Sequence, residues 1–525
     1  MQKNQIRFFP SAFFPSQWSG EVMAGALVFM LAMPLCLGIA KASGFPPAMG
    51  VLTAMVGGFV SLFFRVSPLA IKGPAAGLIT LCASSVQAFG GGEHGWEVTS
   101  AIILVMAIFQ MLLGLLRLGS MSDFFPQAAV HGMLAAIGLI IIAKQIPVLL
   151  GDEPSLYAGE SPLELYLHLP KWIASAHWRI ALIGLSGLAL MFLLPKVKWG
   201  WVKKIPAPMW VLLLTVPLAL GLHFQEEEPA YSLVQIGPFW DTLAWRPDFS
   251  EWSNGIFWKY VLMFLFVSSL ESLLTVKALD NLDPLKRTST YNGELIGQGA
   301  GNLLSGLLGG LPMISEVVRS TANVRFGGRT RWSNFFHALF LTLAMMFLVP
   351  WISMIPNAAL AAMLIYAGYN LAAPQQFKHI KEIGLDQLVI FLVTIGVTLW
   401  EDLLLGILAG IVLKVVFHLY RGARWNELFR SQVKITDNEQ GVTLVFLGSA
   451  LFTNMIDFKK RAGHQLASAE TLVIDFSQMR MIDHSFLLYL DHFSRKKREK
   501  GQLVHWVGLK KMRAESRHPL ASRRI

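Results

Sequence analysis

Glu271 and Thr275 are the residues of this sequence whose types and spacing first suggest chemistry. Both lie in FLFVSSLESLLTVKALD (residues 264–280), an apolar run with one carboxylate deep inside it. A spacing of four residues places the two side chains on one face of a helix. A carboxylate in such surroundings is costly unless it is protonated, paired or bound to a cation. The pair therefore predicts a site for a proton or for a hard cation such as Na⁺.

A second acidic residue, Glu316, follows Ser315 in GGLPMISEVVRSTANV (residues 309–324). Two carboxylates near one site can hold Na⁺ together with the hydroxyl oxygens of Thr275 and Ser315, or they can share one proton. Two other interpretations stay open. Glu316 can compensate the dipole of a helix that begins there, and Glu271 can make a structural hydrogen bond to the backbone of the segment that carries Glu316.

Long apolar segments must position these residues. The chain has 525 residues, of which 54% are hydrophobic and only 15% charged, whereas soluble domains are about one quarter charged. Apolar runs long enough to span a bilayer as helices recur from Gly20 to Tyr420. We predict a polytopic α-helical membrane protein with fourteen spans near 20–41, 46–65, 74–88, 98–117, 125–150, 178–195, 206–222, 256–276, 291–308, 313–324, 333–352, 358–372, 385–400 and 403–420.

The third and tenth predicted spans are short and rich in Gly and Pro. They read KGPAAGLITLCASSV (72–86) and GGLPMISEVVRSTANV (309–324). With seven spans in each half, the two occupy the same position, and an odd number of spans inserts the halves in opposite orientations. Paired short segments of this kind indicate two inverted repeats with a binding site where two half-helices meet at the bilayer midplane. An ordinary proline kink is the alternative for each segment alone.

The formal net charge of +11 indicates membrane orientation rather than nucleic-acid binding, because cytoplasmic loops collect Lys and Arg. Loops 151–178 and 223–255 are acidic, whereas 196–204 and 277–287 are basic. The sign thus alternates from one crossing to the next. We expect a multi-pass protein of the inner (plasma) membrane with both termini cytoplasmic and no nucleic-acid partner.

The composition changes after Tyr420. Two strands joined by a polar turn occupy 432–449, a further strand is predicted at 471–477, and SFLLYLDHFSRKKREKG (485–501) is a helix that ends at Gly501. Strands that alternate with helices predict a small cytoplasmic α/β domain at 430–510. The basic tail 511–525 has little apolar periodicity, and we predict that it lies outside this domain and is poorly ordered.

Three segments together resemble the SulP (sulfate permease) family. They are MPLCLGIAKASGFPPAMGVLTAMVGG (33–58), IKGPAAG (71–77) and NGELIGQGAGNLLSGLLGGLP (292–312). In addition, VIDFSQMRMIDHS (473–485) resembles the strand, loop and helix of a STAS domain. The resemblance covers nearly the whole chain, and it is to bacterial bicarbonate and sulfate transporters in particular.

The resemblance implies a division of the chain and a mechanism. Residues 1–19 would be a cytoplasmic N-terminus and 20–422 the transport domain. Within it, a core (spans 1–4 and 8–11) would move like an elevator against a gate (spans 5–7 and 12–14). The family also implies homodimers and transport of inorganic anions such as sulfate or bicarbonate, and of dicarboxylates in some members. A cytoplasmic partner of the STAS domain is a further expectation.

Helix N-termini expose unpaired N–H groups and a partial positive charge, so they bind anions. We therefore expect the two half-helices to line the anion, with an apolar wall from the first span. The predicted substrate-binding residues are Leu35, Cys36, Ala75, Ala76, Gly77, Ile314 and Ser315. Arg319, one turn after Ser315, either attracts the anion or anchors its helix by reaching to the interface.

The segment ESLLT (271–275) resembles the DSLLT of bicarbonate transporters in this family, in which the acid and the threonine serve a sodium site. We accordingly predict a coupling-cation site at Glu271, Thr275, Ser315 and Glu316, with Na⁺ on Glu271 and Thr275 or with H⁺ in its place. The predicted function is secondary active transport of bicarbonate or sulfate. An uncoupled anion channel or exchanger and a proton-coupled dicarboxylate transporter are the alternatives.

Neither an enzyme nor a cofactor is expected. The sequence contains no GxxxxGK[ST] motif for nucleotide phosphates. Cys36 and Cys82 lie in apolar spans, and no cluster of His and Cys has metal-ligand spacing. Asp483, His484 and Ser485 stand where STAS-type switch proteins carry a phosphorylatable serine, but Phe486 replaces the usual glycine. An interaction or dimer-stabilising role of the domain is the favoured interpretation.

Overall fold

The structure is a computed structural model. It describes residues 17–120, 125–152, 162–200, 202, 205–227, 232–237, 239–240, 243–401, 403–438, 441–468, 471–499 and 501–525. Residues 1–16 of the predicted N-terminus 1–19 and parts of the predicted acidic loops therefore lie outside the described residues.

The described chain forms two compact units. Of the described residues, the first unit comprises those within 17–119 and 137–371, and the second comprises those within 120–136 and 372–525. The helices of the first unit are α1 (Trp18–Ala42), α2 (Pro47–Ser61), α3 (Ile79–Ala88), α4 (Gly92–Leu115), α5 (Gln127–Leu150, shared with the second unit), α6 (Pro162–Leu167), α7 (Leu169–Ala174), α8 (Trp178–Leu193), α9 (Ala207–Gly221), α10 (Phe224–Glu227), α11 (Gly255–Leu282), α12 (Tyr291–Leu307), α13 (Val317–Arg325), α14 (Trp332–Phe347), α15 (Val349–Ile352) and α16 (Asn357–Leu371).

Several helices have the length and apolar composition of membrane spans. Among the described residues, six such segments are long enough to cross a bilayer: Trp18–Ala42, Gly92–Leu115, Gln127–Leu150, Trp178–Lys196, Gly255–Asp280 and Leu403–Tyr420. Shorter apolar helices accompany them, for example Pro47–Ser61 and Trp332–Phe347. The chain is therefore mostly helical with repeated apolar helices, while the count of fourteen spans stays a prediction.

The third and tenth predicted spans are short helices that each follow a strand. Strand β1 (Lys72–Pro74) precedes α3, and strand β2 (Met313–Ser315) precedes α13. The helices begin later than we predicted, because the backbone around Pro74 and Pro312 is extended. A proline disfavours helical geometry in the residue before it. The freed backbone groups pair with each other in a two-stranded antiparallel sheet.

Close helix packing surrounds this small sheet. A Cβ atom on Gly299 of α12 would lie 2.9 Å from the carbonyl oxygen of Ala107 in α4. A Cβ atom on Gly50 of α2 would lie 2.0 Å from the carbonyl oxygen of Cys36 in α1. Only glycine permits backbones to approach this closely, as in other tightly packed membrane helices.

The second unit contains the start of α5, the three helices α17 to α19, and a mixed α/β domain that includes α20 and α21. Its helices are α17 (Pro374–Ile383), α18 (Leu385–Trp400), α19 (Leu403–Tyr420), α20 (Met455–Ser468) and α21 (His484–Glu499). Its strands are β3 (Val433–Asn438), β4 (Gly441–Phe446), β5 (Ser449–Ala450), β6 (Thr471–Asp475), β7 (Met481–Ile482), β8 (Leu503–Val507), β9 (Arg513–Ala514) and β10 (Arg523–Arg524).

One four-stranded sheet of this domain has the strand order β3-β4-β6-β8, with β3 antiparallel and the other neighbours parallel. Buried aromatic side chains fill the core beneath it, among them Phe446, Phe458, Phe476 and Phe486. Side chains of α19 pack against the same core. The strand-rich C-terminal region is thus compatible with the predicted STAS domain.

The basic tail is part of this domain, so the prediction of a poorly ordered tail is wrong. Strand β10 pairs with β7 and with β9 in a second, four-stranded sheet. Ala521 is fully buried, and the N–H of Ile525 donates to the carbonyl of Arg480 over 3.0 Å. Strands of two residues leave no detectable alternation in a sequence, which is why periodicity did not indicate them.

Candidate functional site

The crossing of β1 and β2 brings the two half-helices together. Lys72 lies opposite Ser315, and Pro74 lies opposite Met313. Because the strands are antiparallel, α3 and α13 leave from opposite ends of a three-residue pair. Those ends lie about 7 Å apart along the strands. The first N–H groups of each helix have no partner within that helix, so two partially positive helix ends meet at one small sheet.

Arg319 of α13 lies buried at this crossing. Its side chain is 1% exposed, and its Nη2 donates to the carbonyl oxygen of Pro74 over 3.2 Å. Its Nε and Nη1 atoms have no hydrogen-bond partner among the described residues. A Cβ atom on Gly73 would stand 2.5 Å from Nη1. Arg319 therefore does not reach to the interface, and it presents two unused donors where an anion is expected.

Glu316 is the N-cap of α13. Its carboxylate accepts a hydrogen bond from the backbone N–H of Arg319 at 2.6 Å. A carboxylate in this position satisfies an unpaired donor and compensates the helix dipole. The structure thus supports the capping role that the sequence left open. Participation of Glu316 in a cation site stays a prediction.

Glu271 lies against the start of α3. A Cβ atom on Gly77 would stand 2.3 and 2.6 Å from the two carboxylate oxygens of Glu271. The Oε2 atom of Glu271 and the Oγ1 atom of Thr275 are both buried and have no hydrogen-bond partner among the described residues. The expected backbone contact with β2 is made instead by Ser272, whose hydroxyl accepts the N–H of Ser315 at 2.7 Å. Two orphaned oxygens one helical turn apart fit a cation or a proton.

The hydroxyl of Ser315 is already engaged. It donates to Oε1 of Glu294 at 2.6 Å and lies 2.7 Å from Nζ of Lys72. Ser315 is fully buried within β2. Its role as a ligand of the anion and of the cation stays a prediction. To bind either ion, the hydroxyl would have to leave Glu294 and Lys72.

Lys72 and Glu294 form a buried ion pair that the sequence analysis missed. The Nζ of Lys72 contacts Oε1 of Glu294, and both side chains are fully buried. The other carboxylate oxygen of Glu294 accepts the N–H of Ser67 at 3.0 Å. The sequence did offer a signal for this ion pair. Lys72 is the one charged residue of the segment IKGPAAG, and a charge inside a membrane span requires a partner.

Gln298 and Asn302 continue the polar face of α12 that begins at Glu294. Nε2 of Gln298 donates to the carbonyl of Met313 at 3.0 Å, and Oδ1 of Asn302 accepts the N–H of Met313 at 2.6 Å. Nδ2 of Asn302 also donates to Gln110 of α4 at 2.9 Å. This face holds β2 in place by interhelical hydrogen bonds.

The other predicted anion-binding residues also lie around the crossing. Ala75 and Gly77 are buried and Ala76 is partly exposed at the start of α3. Ile314 is 1% exposed and pairs with Gly73. Leu35 is partly exposed, whereas Cys36 is a buried free thiol close to Arg319. Among the described residues, no group of three or more His, Cys, Asp or Glu is arranged to hold a metal ion.

Repeated apolar helices and two half-helices that meet at a buried arginine define a polytopic membrane transporter. The chain belongs to the sulfate permease family, whose sequence pattern matches residues 19–394. A Bacillus subtilis (strain 168) protein named "Putative sulfate transporter YvdB" is 24% identical over 511 residues, which are 95% of this chain and 93% of that protein. The "Bicarbonate transporter BicA" of Picosynechococcus sp. is 24% identical, with 93% of this chain and 88% of that protein covered.

The fold of murine Solute Carrier 26 family member A9, an anion transporter solved in the inward-facing state, is similar to that of this chain. The TM-score is 0.69 at 13% sequence identity, with 94% of this chain and 86% of that chain covered. The likeness confirms the predicted fold, a polytopic helical membrane protein. The relatives carry the names of transporters and not of enzymes.

Proposed function

We propose that this protein is a secondary active transporter of inorganic oxyanions, bicarbonate or sulfate. The observation that carries this proposal is the junction of two half-helix N-termini with the buried and partly unpaired Arg319. The named functions of the relatives, sulfate and bicarbonate transport, agree with it.

The anion would sit at the crossing of β1 and β2. Two helix ends and two unused guanidinium nitrogens of Arg319 offer N–H donors from both sides. Ala76 and Gly77 carry no bulk that would keep an anion from the backbone of α3. Leu35 and Cys36 would supply the apolar wall.

The cation would sit between Glu271 and Thr275. Their buried oxygens lack partners, and carboxylate and hydroxyl oxygens are the donors that a hard cation prefers. Na⁺ is the cation we favour, and H⁺ on Glu271 is the second candidate. A passive anion channel would gain nothing from an orphaned carboxylate beside its anion site.

The arrangement of the spans, their movement and the assembly of the protein are proposed from its resemblance to the sulfate permease family. We propose fourteen spans in two inverted repeats, and an elevator movement of core spans 1–4 and 8–11 against gate spans 5–7 and 12–14. We propose a homodimer in the inner membrane with cytoplasmic termini and a STAS domain at 430–510 that also incorporates residues 511–525.

Flux measurements in proteoliposomes test the function. Purified protein is reconstituted, and uptake of labelled sulfate and bicarbonate is measured with an imposed Na⁺ gradient, an imposed proton gradient, or neither. Wild-type protein should accumulate an anion above equilibrium with one of the two gradients. Glu271→Gln should abolish that accumulation. Gly396→Ala, where an added Cβ meets no atom within 4 Å, is the matched control and should behave as wild type.

The outcomes separate the competing functions. Anion flux that never exceeds equilibrium and ignores both gradients would indicate an uncoupled channel or exchanger. Uptake of succinate with a proton gradient but not of sulfate or bicarbonate would indicate a dicarboxylate transporter. Accumulation by Glu271→Gln with unchanged gradient dependence would leave Glu271 as a structural residue.

A further inference from the structure

Four of the chain's thirteen histidines converge on one cavity of the second unit. They are His131 on α5, His379 on α17, His484 at the start of α21, and His518 in the C-terminal segment. The cavity has a volume of about 200 Å³. The ring centres of His379 and His518 are 5.9 Å apart, and those of His484 and His518 are 6.3 Å apart.

The other lining residues are neutral. They are Gln127, Ala128, Ile380, Ile383, Gln387, Leu488 and Leu520. The lining that the described residues provide thus contains no Asp, Glu, Lys or Arg. The Oε1 atom of Gln387 is buried without a hydrogen-bond partner. Imidazoles gathered in such a lining repel one another once they are protonated, because their charges are alike, and the described lining residues include no carboxylate to offset them.

The C-terminal segment closes this cavity and holds α17. Nδ1 of His484 donates to the carbonyl of Leu520 at 2.7 Å, and Nδ1 of His518 accepts the N–H of Leu520 at 3.2 Å. The hydroxyl of Ser516 lies 2.8 Å from the carbonyl oxygens of Glu382 and Ile383 at the end of α17. The bond accepted by His518 requires a neutral ring, so protonation of His518 breaks it.

We propose that this histidine cluster is a proton-operated latch, which releases the C-terminal segment 513–525 from α17 when the imidazoles are protonated. Release removes the Ser516 contacts and exposes the cavity. The effect on transport rests on the proposed function, whereas release of the segment does not.

Charged groups around the cluster come from every element packed on it. These are Glu382 on α17, Asp386 on α18, Lys414 on α19, Arg421 just after α19, Asp483 beside His484 and Glu515 in the C-terminal segment, in addition to the imidazoles of His131, His379 and His518. Arg421 lies 3.0 Å from Asp386 and 3.6 Å from Glu515. Burial, together with the charges of Lys414 and His518, lowers the pKa of His484 to about 4, despite the opposing bond to Leu520 and the charge of Asp386. Burial and His379 lower the pKa of His518, against the effect of Glu382.

The sign of the pH effect follows from these directions. A histidine whose pKa is lowered in the latched state binds fewer protons there than after release. The latch is therefore firm above the ordinary pKa of about 6.5 and weakens as the pH falls toward 4. Full return of His484 to its ordinary pKa would raise the open population about 20-fold between pH 7 and pH 5.

Amide hydrogen exchange in the purified full-length protein tests the latch directly. Two backbone N–H groups of the latched segment serve as reporters: that of Glu515 donates to the carbonyl of Ser522 within the segment, and that of Ile525 donates to the carbonyl of Arg480, which lies just before β7. After correction for intrinsic exchange, their exchange rates should rise about 20-fold from pH 7 to pH 5. His484→Gln and His518→Gln should each reduce that rise, and both together should remove it. His505→Gln, on the exposed side of β8, should keep the wild-type response.

A variant with a permanent positive charge tests whether protonation is what opens the latch. His518→Lys should exchange rapidly at the two reporter amides already at pH 7. Exchange that is independent of pH in the wild type, or a response that survives in the double glutamine variant, would overturn the latch. Uptake into proteoliposomes should fall at pH 5 on the side of the C-terminal domain in the wild type but not in the double variant. If release occurs without any change in uptake, the latch stands and its control of transport is wrong.

Discussion

Substitution of Gly77 by alanine tests the contact between the half-helix α3 and the proposed cation site. The new Cβ atom would stand 2.3 Å from Oε1, 2.6 Å from Oε2 and 2.8 Å from Cδ of Glu271. Contacts below 3.0 Å force a shift, and the movable partner here is the end of a flexible side chain. Overpacking of this kind costs about 1–3 kcal/mol. If Glu271 moves away from the new Cβ atom, about the same 1–3 kcal/mol is lost from cation binding. The apparent affinity for the coupling cation then falls about 5- to 150-fold.

The assay combines uptake with thermal unfolding. For Gly77→Ala we expect a melting temperature in the absence of Na⁺ within a few degrees of the wild type, since no backbone must move. Stabilisation by Na⁺ should need a correspondingly higher concentration. Glu271→Asp shortens the side chain by one methylene group, so the double variant Gly77→Ala/Glu271→Asp should recover part of the loss. Gly396→Ala has open space around its Cβ atom and serves as the control.

Two results would refute this reasoning. Gly77→Ala could transport and respond to Na⁺ as the wild type does, which would separate Glu271 from the coupling step. Alternatively, the effects of Gly77→Ala and Glu271→Asp could add without interaction in the double-mutant cycle. That outcome would mean that the two residues do not share one site.

Arg319→Gln should raise the anion concentration for half-maximal uptake about 10- to 150-fold, because one charge-assisted hydrogen bond contributes about 1.5–3 kcal/mol; an unchanged value would remove the arginine from the anion site. Lys72→Met should destabilise the protein by about 3–5 kcal/mol, since it leaves Glu294 buried and unpaired. The double variant Lys72→Met/Glu294→Gln should recover most of that loss in thermal unfolding, and simple additivity of the two changes would show that the ion pair contributes no coupling energy.

The half-helices were predictable because their signal is local. Glycine and proline inside two short apolar runs indicate interrupted helices, whatever the rest of the fold does. The pairing of Lys72 with Ser315 through strands β1 and β2 was not predictable in the same way. Three-residue strands carry no periodicity, and their partners lie far apart in the sequence.

Some side chains of the site could likewise be predicted from the sequence, and others could not. Glu271 and Thr275 share a helical face by spacing alone, and the structure leaves both with unpartnered oxygens. Whether Ser315 faces a ligand or the Lys72–Glu294 pair depends on which face of β2 its side chain occupies. A one-residue shift of the strand register would move the side chain to the other face. The sequence thus indicated the acids of the site, but not which neighbouring groups were already engaged.

A count of charges at the crossing links the anion to its cation. Arg319 and Glu316 cancel, and the ion pair of Lys72 and Glu294 is neutral. Each helix N-terminus adds about +0.5, so the two together offset an ionised Glu271 in the empty site. One Na⁺ or H⁺ then leaves a charge of about +1, which a single bicarbonate neutralises, whereas sulfate would leave about −1 unless a second cation enters. If the proposed coupling is right, we therefore expect this site to prefer a monovalent oxyanion with one cation. In Glu271→Gln the empty site already carries about +1, so this variant should bind bicarbonate without Na⁺. A persistent Na⁺ requirement for binding in that variant would place the cation elsewhere.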